Sequence, residues 1–247
     1  MDKLLFAVLA FILIFITVNN ITLISRYKQN KTYISSYQDV LHNKENSYEN
    51  IKKFIEKEKT AEFKNKGRVI ELYSELCNDL EYDETLKDID FKEIFCVKGK
   101  YKNSQVNLNS DTFVFVILAM AKAKELKKKG IIDTLINKLN EVEKLQGRLE
   151  YQEIVAFGKA LTGSDDKGTE FMKGVLDGNY TEYAYEKNMI GLYKRIAATT
   201  LAYNKEEFDE YFKNDLYHFS KPIIGECILK SLGLYEKYKP AEEESKN

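Results

Sequence analysis

The chain contains no Trp, two His, three Cys, two Pro, twelve Gly and four Arg among its 247 residues. Each scarcity removes a class of protein. So few Gly and Pro exclude collagen-like and low-complexity chains, and three Cys cannot build a disulfide scaffold. The 38 basic residues are balanced by 39 acidic ones, so the basic excess of a nucleic-acid binder is missing. Arg, the side chain of bidentate base and phosphate recognition, is nearly absent, and no nucleic-acid partner is expected. Two His without an H-x-x-x-H or C-x-x-C spacing offer little for metal binding or acid–base catalysis. The phosphate loops G-x-x-x-x-G-K-[ST] and G-x-G-x-x-G are also missing. No catalytic residue, metal or cofactor is therefore assigned, and the chain is read as a non-enzyme.

What is present is uneven. Of the 21 residues from Leu4 to Ile24, 17 are apolar, the exceptions being Thr17, Asn19, Asn20 and Thr22. As a helix this run covers about 30 Å, one hydrocarbon thickness, which predicts an uncleaved single-span anchor over residues 1–25 contacting membrane lipid. A cleaved signal peptide would need small residues at alternating positions after the run, and Thr17 to Ser25 supplies no such site. Arg26, Lys28 and Lys31 come after the run, against Lys3 offset by Asp2 before it. That asymmetry leans toward a body facing the cytoplasm. The spacing of Cys77, Cys96 and Cys227 suits reduced thiols and leans the same way. Lys outnumbers Arg 34 to 4, as codon usage in a low-GC bacterial genome would produce.

Beyond the anchor the pattern is helical and the fold class is all-α. Apolar residues recur at three and four through Tyr33, Tyr37, Val40 and Leu41, then Ile51, Phe54 and Ile55, then Val69, Ile70, Tyr73 and Leu76. This predicts a juxtamembrane helix and a helical pair over 26–81. From Arg26 to Arg68 eleven basic residues face six acids, a bias that anionic lipid headgroups would attract. From Glu71 to Glu93 nine acids face two Lys, which is read as an acidic, solvated connection running through polar residues to 109. Glu81 to Asp90 lacks the spacing of a calcium loop.

From Ser110, Gly130, Gly147, Gly163 and Gly178 fall 17, 16 and 15 residues apart, where a left-handed helix cap favours Gly. The intervening segments give helical hairpins with a period of 35 to 38 residues over 110–239, followed by a disordered tail at 240–247. That period and hairpin layout resemble the tetratricopeptide-like helical repeat superfamily, as does Leu201 to Phe212 as a join between two helices. The resemblance implies a short α-solenoid and a protein-binding role, as a scaffold or adaptor at a bacterial membrane. The W-x2-L-G-x2-Y opening of that superfamily is absent, so no groove residue carries over. A second resemblance, resting on Phe208 to Tyr211, His218 and the final helix Ile223 to Leu234, is to all-helical immunity proteins, and it implies neutralisation of a bacterial toxin.

Most single residues that invite a chemical role read instead as packing or surface positions. His42 lies off the apolar stripe and should face solvent, while Cys77 and Cys227 lie on stripes and should be buried. Cys96 has no neighbouring activator in the sequence. Glu150 and Glu153 read as a solvated helix face. The aromatic excess, with 17 Tyr and 14 Phe, concentrates toward the C-terminus. Tyr suits recognition surfaces, so the candidate partner surface comprises Tyr183, Tyr193, Tyr203, Tyr211, Tyr217 and His218 on the concave side of the last hairpins.

Overall fold

A computed structural model describes residues 2–95, 110–163, 167–180, 190–204 and 222–238. Within these, side chains are described except at 2–16, 19, 22, 110, 111, 190–193, 195, 222 and 223. The described elements are all helical, as the periodicity predicts, and no strand occurs among the described residues.

The first helix, α1 (Asp2–Leu41), runs unbroken for 40 residues, about 60 Å. No boundary falls near residue 25; the apolar run and the juxtamembrane helix are one rod. Its two halves meet different surroundings. Val18, Ile21, Leu23, Ile24 and Tyr27 are exposed, whereas Tyr33, Tyr37, Val40 and Leu41 are buried. Among the described residues no helix is long and apolar enough to cross a membrane. The side chains of 2–16, which carry most of the apolar run, lie outside that set.

Asn43 and Asn46, both with positive φ, reverse the chain after α1; Asn tolerates this conformation because its short side chain bonds locally. The turn returns α2 (Ser47–Lys57) along α1, and α3 (Ala61–Cys77) packs against both. Gly67 makes the α2–α3 approach possible, since a Cβ there would stand 2.7 Å from Ile55 Cγ1 and 3.2 Å from the Phe54 ring. The expected helical pair is present.

Residues 82–95 differ from the expected connection. They form α4 (Asp83–Asp88) and α5 (Phe91–Phe95), and Leu86, Ile89, Phe91, Ile94 and Phe95 are buried. Charge dominates the composition of this stretch, yet its few apolar residues all turn inward. Phe91 stacks on Phe95, and Phe95 on Phe113 at 4.8 Å between ring centroids. Residues 96–109 lie outside the described set.

The centre of the molecule is α6 (Ser110–Glu125), buried from Thr112 to Ala121 and again at Ala123. A helix apolar on all sides must be covered on all sides. It is, by α3, α7 (Lys129–Asn140), α8 (Leu149–Thr162) and α11 (Pro222–Ser231). The hairpins α6–α7 and α8–α9 (Lys167–Leu176), with α10 (Ile190–Tyr203) against both α8 and α9, are compatible with a helical repeat. An open solenoid is a different matter, because each repeat in one touches only its neighbours. Here α11 returns to α6, and one core runs from Tyr33 to Ile228. The last described element is a short helix α12 (Tyr235–Tyr238), and the expected tail at 240–247 lies outside the described residues.

Two of the four spaced glycines cap α-helices: Gly163 ends α8 and Gly178 ends α9, with φ of 71 and 84°, while Gly147, at 92°, follows a 3-10 turn at Glu143–Leu145 and caps no α-helix. Nor does Gly130. It sits inside the first turn of α7, and the left-handed residue ending α6 is Lys127 at 59°. Lys127 N donates to Lys124 O and Lys128 N to Ala123 O, the paired pattern that satisfies the last carbonyls of a helix.

Candidate functional site: an acidic cleft between three helices

Glu71 and Glu75 are one turn apart on α3 and share a face. Across from them stand Tyr48 and Lys52, one turn apart on α2, and Thr85 of α4. These elements enclose a cleft of about 970 Å³ whose lining holds seven carboxylates and three cations. Two of the cations are engaged at its ends. Arg68 Nη2 lies 3.0 Å from Asp88 Oδ2, with Arg68 Nη1 donating to Asp88 O at 3.1 Å. Lys128 Nζ lies 3.8 Å from Asp79 Oδ1 and 4.5 Å from the Tyr82 ring centroid.

The floor of the cleft is unusual for so acidic a stretch. Glu71 and Glu75 are 8% and 3% exposed, although a run of charge ordinarily faces water. Glu75 Oε1 accepts from Thr85 Oγ1 at 3.0 Å and from Tyr48 Oη at 3.4 Å. Its second oxygen, Oε2, is buried and has no hydrogen-bond partner among the described residues. Burial, with Glu71 adding repulsion, pushes the Glu75 carboxyl up to about 7, and the bonds from Thr85 and Tyr48 only partly oppose this. Burial likewise raises Glu71, against the pull of Lys52 and Arg68. Lys52, whose Nζ lies 5.1 Å from the Tyr48 ring centroid, is held above the ordinary lysine range chiefly by the polar Tyr48 side chain beside it. The arrangement can therefore exchange a proton near neutrality and offer an unsatisfied carboxylate oxygen to an incoming cation.

The sequence pattern does not reveal this cleft. The available signal is the i, i+4 spacing of Glu71 with Glu75 and of Tyr48 with Lys52, which the net charge of the stretch obscures. Of the six residues that the sequence does single out, few are described. Tyr203 ends α10 half-buried, with Lys124 Nζ 5.6 Å from its ring centroid. Tyr193 is on α10, but its side chain is outside the described set, as are Tyr183, Tyr211, Tyr217 and His218 altogether. Nothing described brings these six together.

Two further expectations are corrected. Glu150 and Glu153 are 2% and 1% exposed, because α8 is enclosed by α6, α7, α9 and α10 and both acids fall on its covered side. Burial, then the Glu150 charge, raises the Glu153 carboxyl well above its ordinary range. Cys77 is exposed, not buried, since it is the last residue of α3, while Cys227 is partly buried on α11. His42 is exposed as expected, and Cys96 lies outside the described residues. Among the described residues no three His, Cys, Asp or Glu side chains converge as a metal-binding group.

No family model matches the chain, and no curated protein or solved structure does so either.

Proposed function

We propose that this is a single-pass membrane protein whose helical body, on the cytoplasmic side, binds a protein partner by taking a basic segment of it into the α2–α3–α4 cleft. The observation that carries the binding role is Glu75. A carboxylate that is 3% exposed, in a cleft lined by seven acids, with one oxygen lacking a hydrogen bond, is costly to keep unless a cation completes it. A Lys or Arg side chain from a partner would do so.

The anchor is supported by the apolar run Leu4 to Ile24 and by the residues at its C-terminal end. Ile21, Leu23 and Ile24 stand 55 to 65% exposed on α1, and Tyr27, at 69%, sits between Arg26 and Lys28. An amphipathic aromatic flanked by basic residues at the end of an apolar helix suits a membrane interface, where the ring sits at headgroup level and the cations reach water and phosphate. The hairpin layout keeps a helical-repeat scaffold as the architectural parallel, with the acidic cleft replacing the C-terminal tyrosines as the binding surface.

The test is site-directed photocrosslinking in cells that produce the full chain, with the crosslinker at Glu81 on the rim of the cleft. The expected result is one adduct, whose crosslinked peptide is rich in Lys or Arg. The paired variant Glu71→Gln, Glu75→Gln should abolish it while leaving the protein folded by circular dichroism. An adduct that persists in that variant, or maps to an acidic or apolar peptide, overturns the assignment of the cleft.

A further inference from the structure

We infer that the groove between α1 and α2 is a binding site for the phosphate headgroup of an anionic membrane lipid; this rests on the anchor reading above. The groove holds about 570 Å³ and is lined from α1 by Ser25, Lys28, Thr32 and Ser35, and from α2 by Lys53 and Lys57. Its position arises from the antiparallel return of α2. Gln29 Nε2 donates to Glu58 Oε1 at 3.1 Å, which fixes the C-terminal end of α2 level with Gln29. That residue lies five positions beyond Ile24, about 8 Å along the helix. Lys57 of α2 is thereby brought to the depth of Lys28 on α1, where a bilayer holds its phosphates, and Lys53 stands one turn behind it.

The charges facing the groove are not balanced from within. Asp39 is taken by Lys44 at 2.8 Å. Glu58 Oε1 accepts from Lys59 N at 2.8 Å, Thr60 N at 2.9 Å and Thr60 Oγ1 at 3.0 Å, besides Gln29. That carboxylate is spent on shaping the start of α3. Lys28, Lys53 and Lys57 form no ion pair among the described residues. Three ammonium groups with hydroxyls between them, aligned with the point where an apolar helix leaves the bilayer, match a lipid phosphate and its polar head. The lysine stems and Phe54, 7% exposed at the groove floor, provide an apolar wall for the start of an acyl chain.

The site can be tested on the full chain purified in a non-ionic detergent, by native mass spectrometry during titration with phosphatidylglycerol or phosphatidylcholine. One phosphatidylglycerol should be retained in preference to phosphatidylcholine. The variant Lys28→Gln, Lys53→Gln, Lys57→Gln should weaken that retention by at least about tenfold. The equally neutralised variant Lys87→Gln, Lys127→Gln, Lys129→Gln, remote from the groove, should not. Equal retention of both lipids, or equal loss in the two variants, overturns the site. Glycerol phosphate binding as tightly as the lipid would make it a site for free anions and overturn the lipid assignment. Flotation with neutral vesicles separates this inference from the anchor: a chain that fails to float refutes the anchor, while one that floats without a headgroup preference refutes only the groove.

Discussion

Tyr48 of α2 and Glu75 of α3 meet across the cleft, the phenol donating to the carboxylate at 3.4 Å. This contact leaves the acid only partly satisfied, and its carboxyl sits at about 7 instead of near 4.5. A folded-state value raised above the unfolded one means that the folded protein holds the proton more tightly. The associated stability is complete below about pH 4.5 and is lost as pH rises through about 7. Glu75→Gln, neutral throughout, escapes that loss. Its stability relative to the parent should grow from pH 4.5 to 7 and level off above, reaching about 1–2 kcal/mol after discounting for the openness of the cleft to water. Urea unfolding of the full chain in detergent at several pH values measures this. A difference that does not vary with pH would show that Glu75 is not held as a raised acid.

A second buried charge has the opposite character. Lys66 is 2% exposed, pairs with Glu62 one turn earlier on α3, and places Nζ 4.8 Å from the centroid of the Phe63 ring. Removing the partner strands a cation inside the packing of α3. Glu62→Ala should therefore destabilise by about 2–4 kcal/mol, whereas Lys66→Met, which fills the space with an apolar chain and leaves Glu62 near water, should cost less than about 1.5 kcal/mol. Denaturant midpoints of the two variants decide the matter. Similar losses for both would mean that the pair is not what compensates the charge.

Two glycines of the regular series, alike in spacing, differ in what a side chain would cost. Gly130 lies in the first turn of α7, has no positive φ, and a Cβ added to it would meet nothing within 4 Å. Gly130→Ala should stabilise by about 0.4–1 kcal/mol through the unfolded chain. Gly178, at φ 84°, caps α9 with its N–H bonded to Val175 O, so Gly178→Ala should destabilise by about 1–2 kcal/mol. Thermal melts of the two variants should move in opposite directions. A common direction would contradict the assignment of Gly178, not Gly130, as the cap.

Helical periodicity locates α2, α3 and the hairpins of the C-terminal half, because burial of one stripe is written at three and four residues. It says little about α6, whose apolar residues occupy every side and so carry no preferred face; that uniformity marks the central helix, and with it the closure of α11 onto α6. The cleft is hidden for a related reason. Net charge averages over a stretch, whereas burial acts on single turns, so Glu71 and Glu75 can face inward while Glu81, Asp83 and Glu84 stay at the surface. The C-terminal tyrosines stand out by residue type alone, and of Tyr183, Tyr193, Tyr203, Tyr211 and Tyr217 only the Tyr203 side chain falls within the described residues.

The sidedness of the body has a direct probe in Cys77. It is exposed at the end of α3, and its thiol and that of Cys227 both face the Tyr73 hydroxyl. The protein packed around each sulfur keeps water from it and raises both thiols above their ordinary range, even though Cys77 is exposed as a residue, and the nearby Tyr73 hydroxyl opposes that rise. Alkylation, which requires the thiolate, should accordingly be slow at neutral pH and accelerate as pH increases. With a cytoplasmic body, a membrane-impermeant maleimide should spare Cys77 in intact cells and modify it, ahead of Cys227, once the membrane is permeabilised. Tyr73→Phe removes the opposing hydroxyl, raises the thiols further and should slow Cys77 modification at fixed pH. Labelling of Cys77 in intact cells would place the body outside. Faster labelling in Tyr73→Phe would instead mean that the hydroxyl shields the thiol more than it stabilises the thiolate.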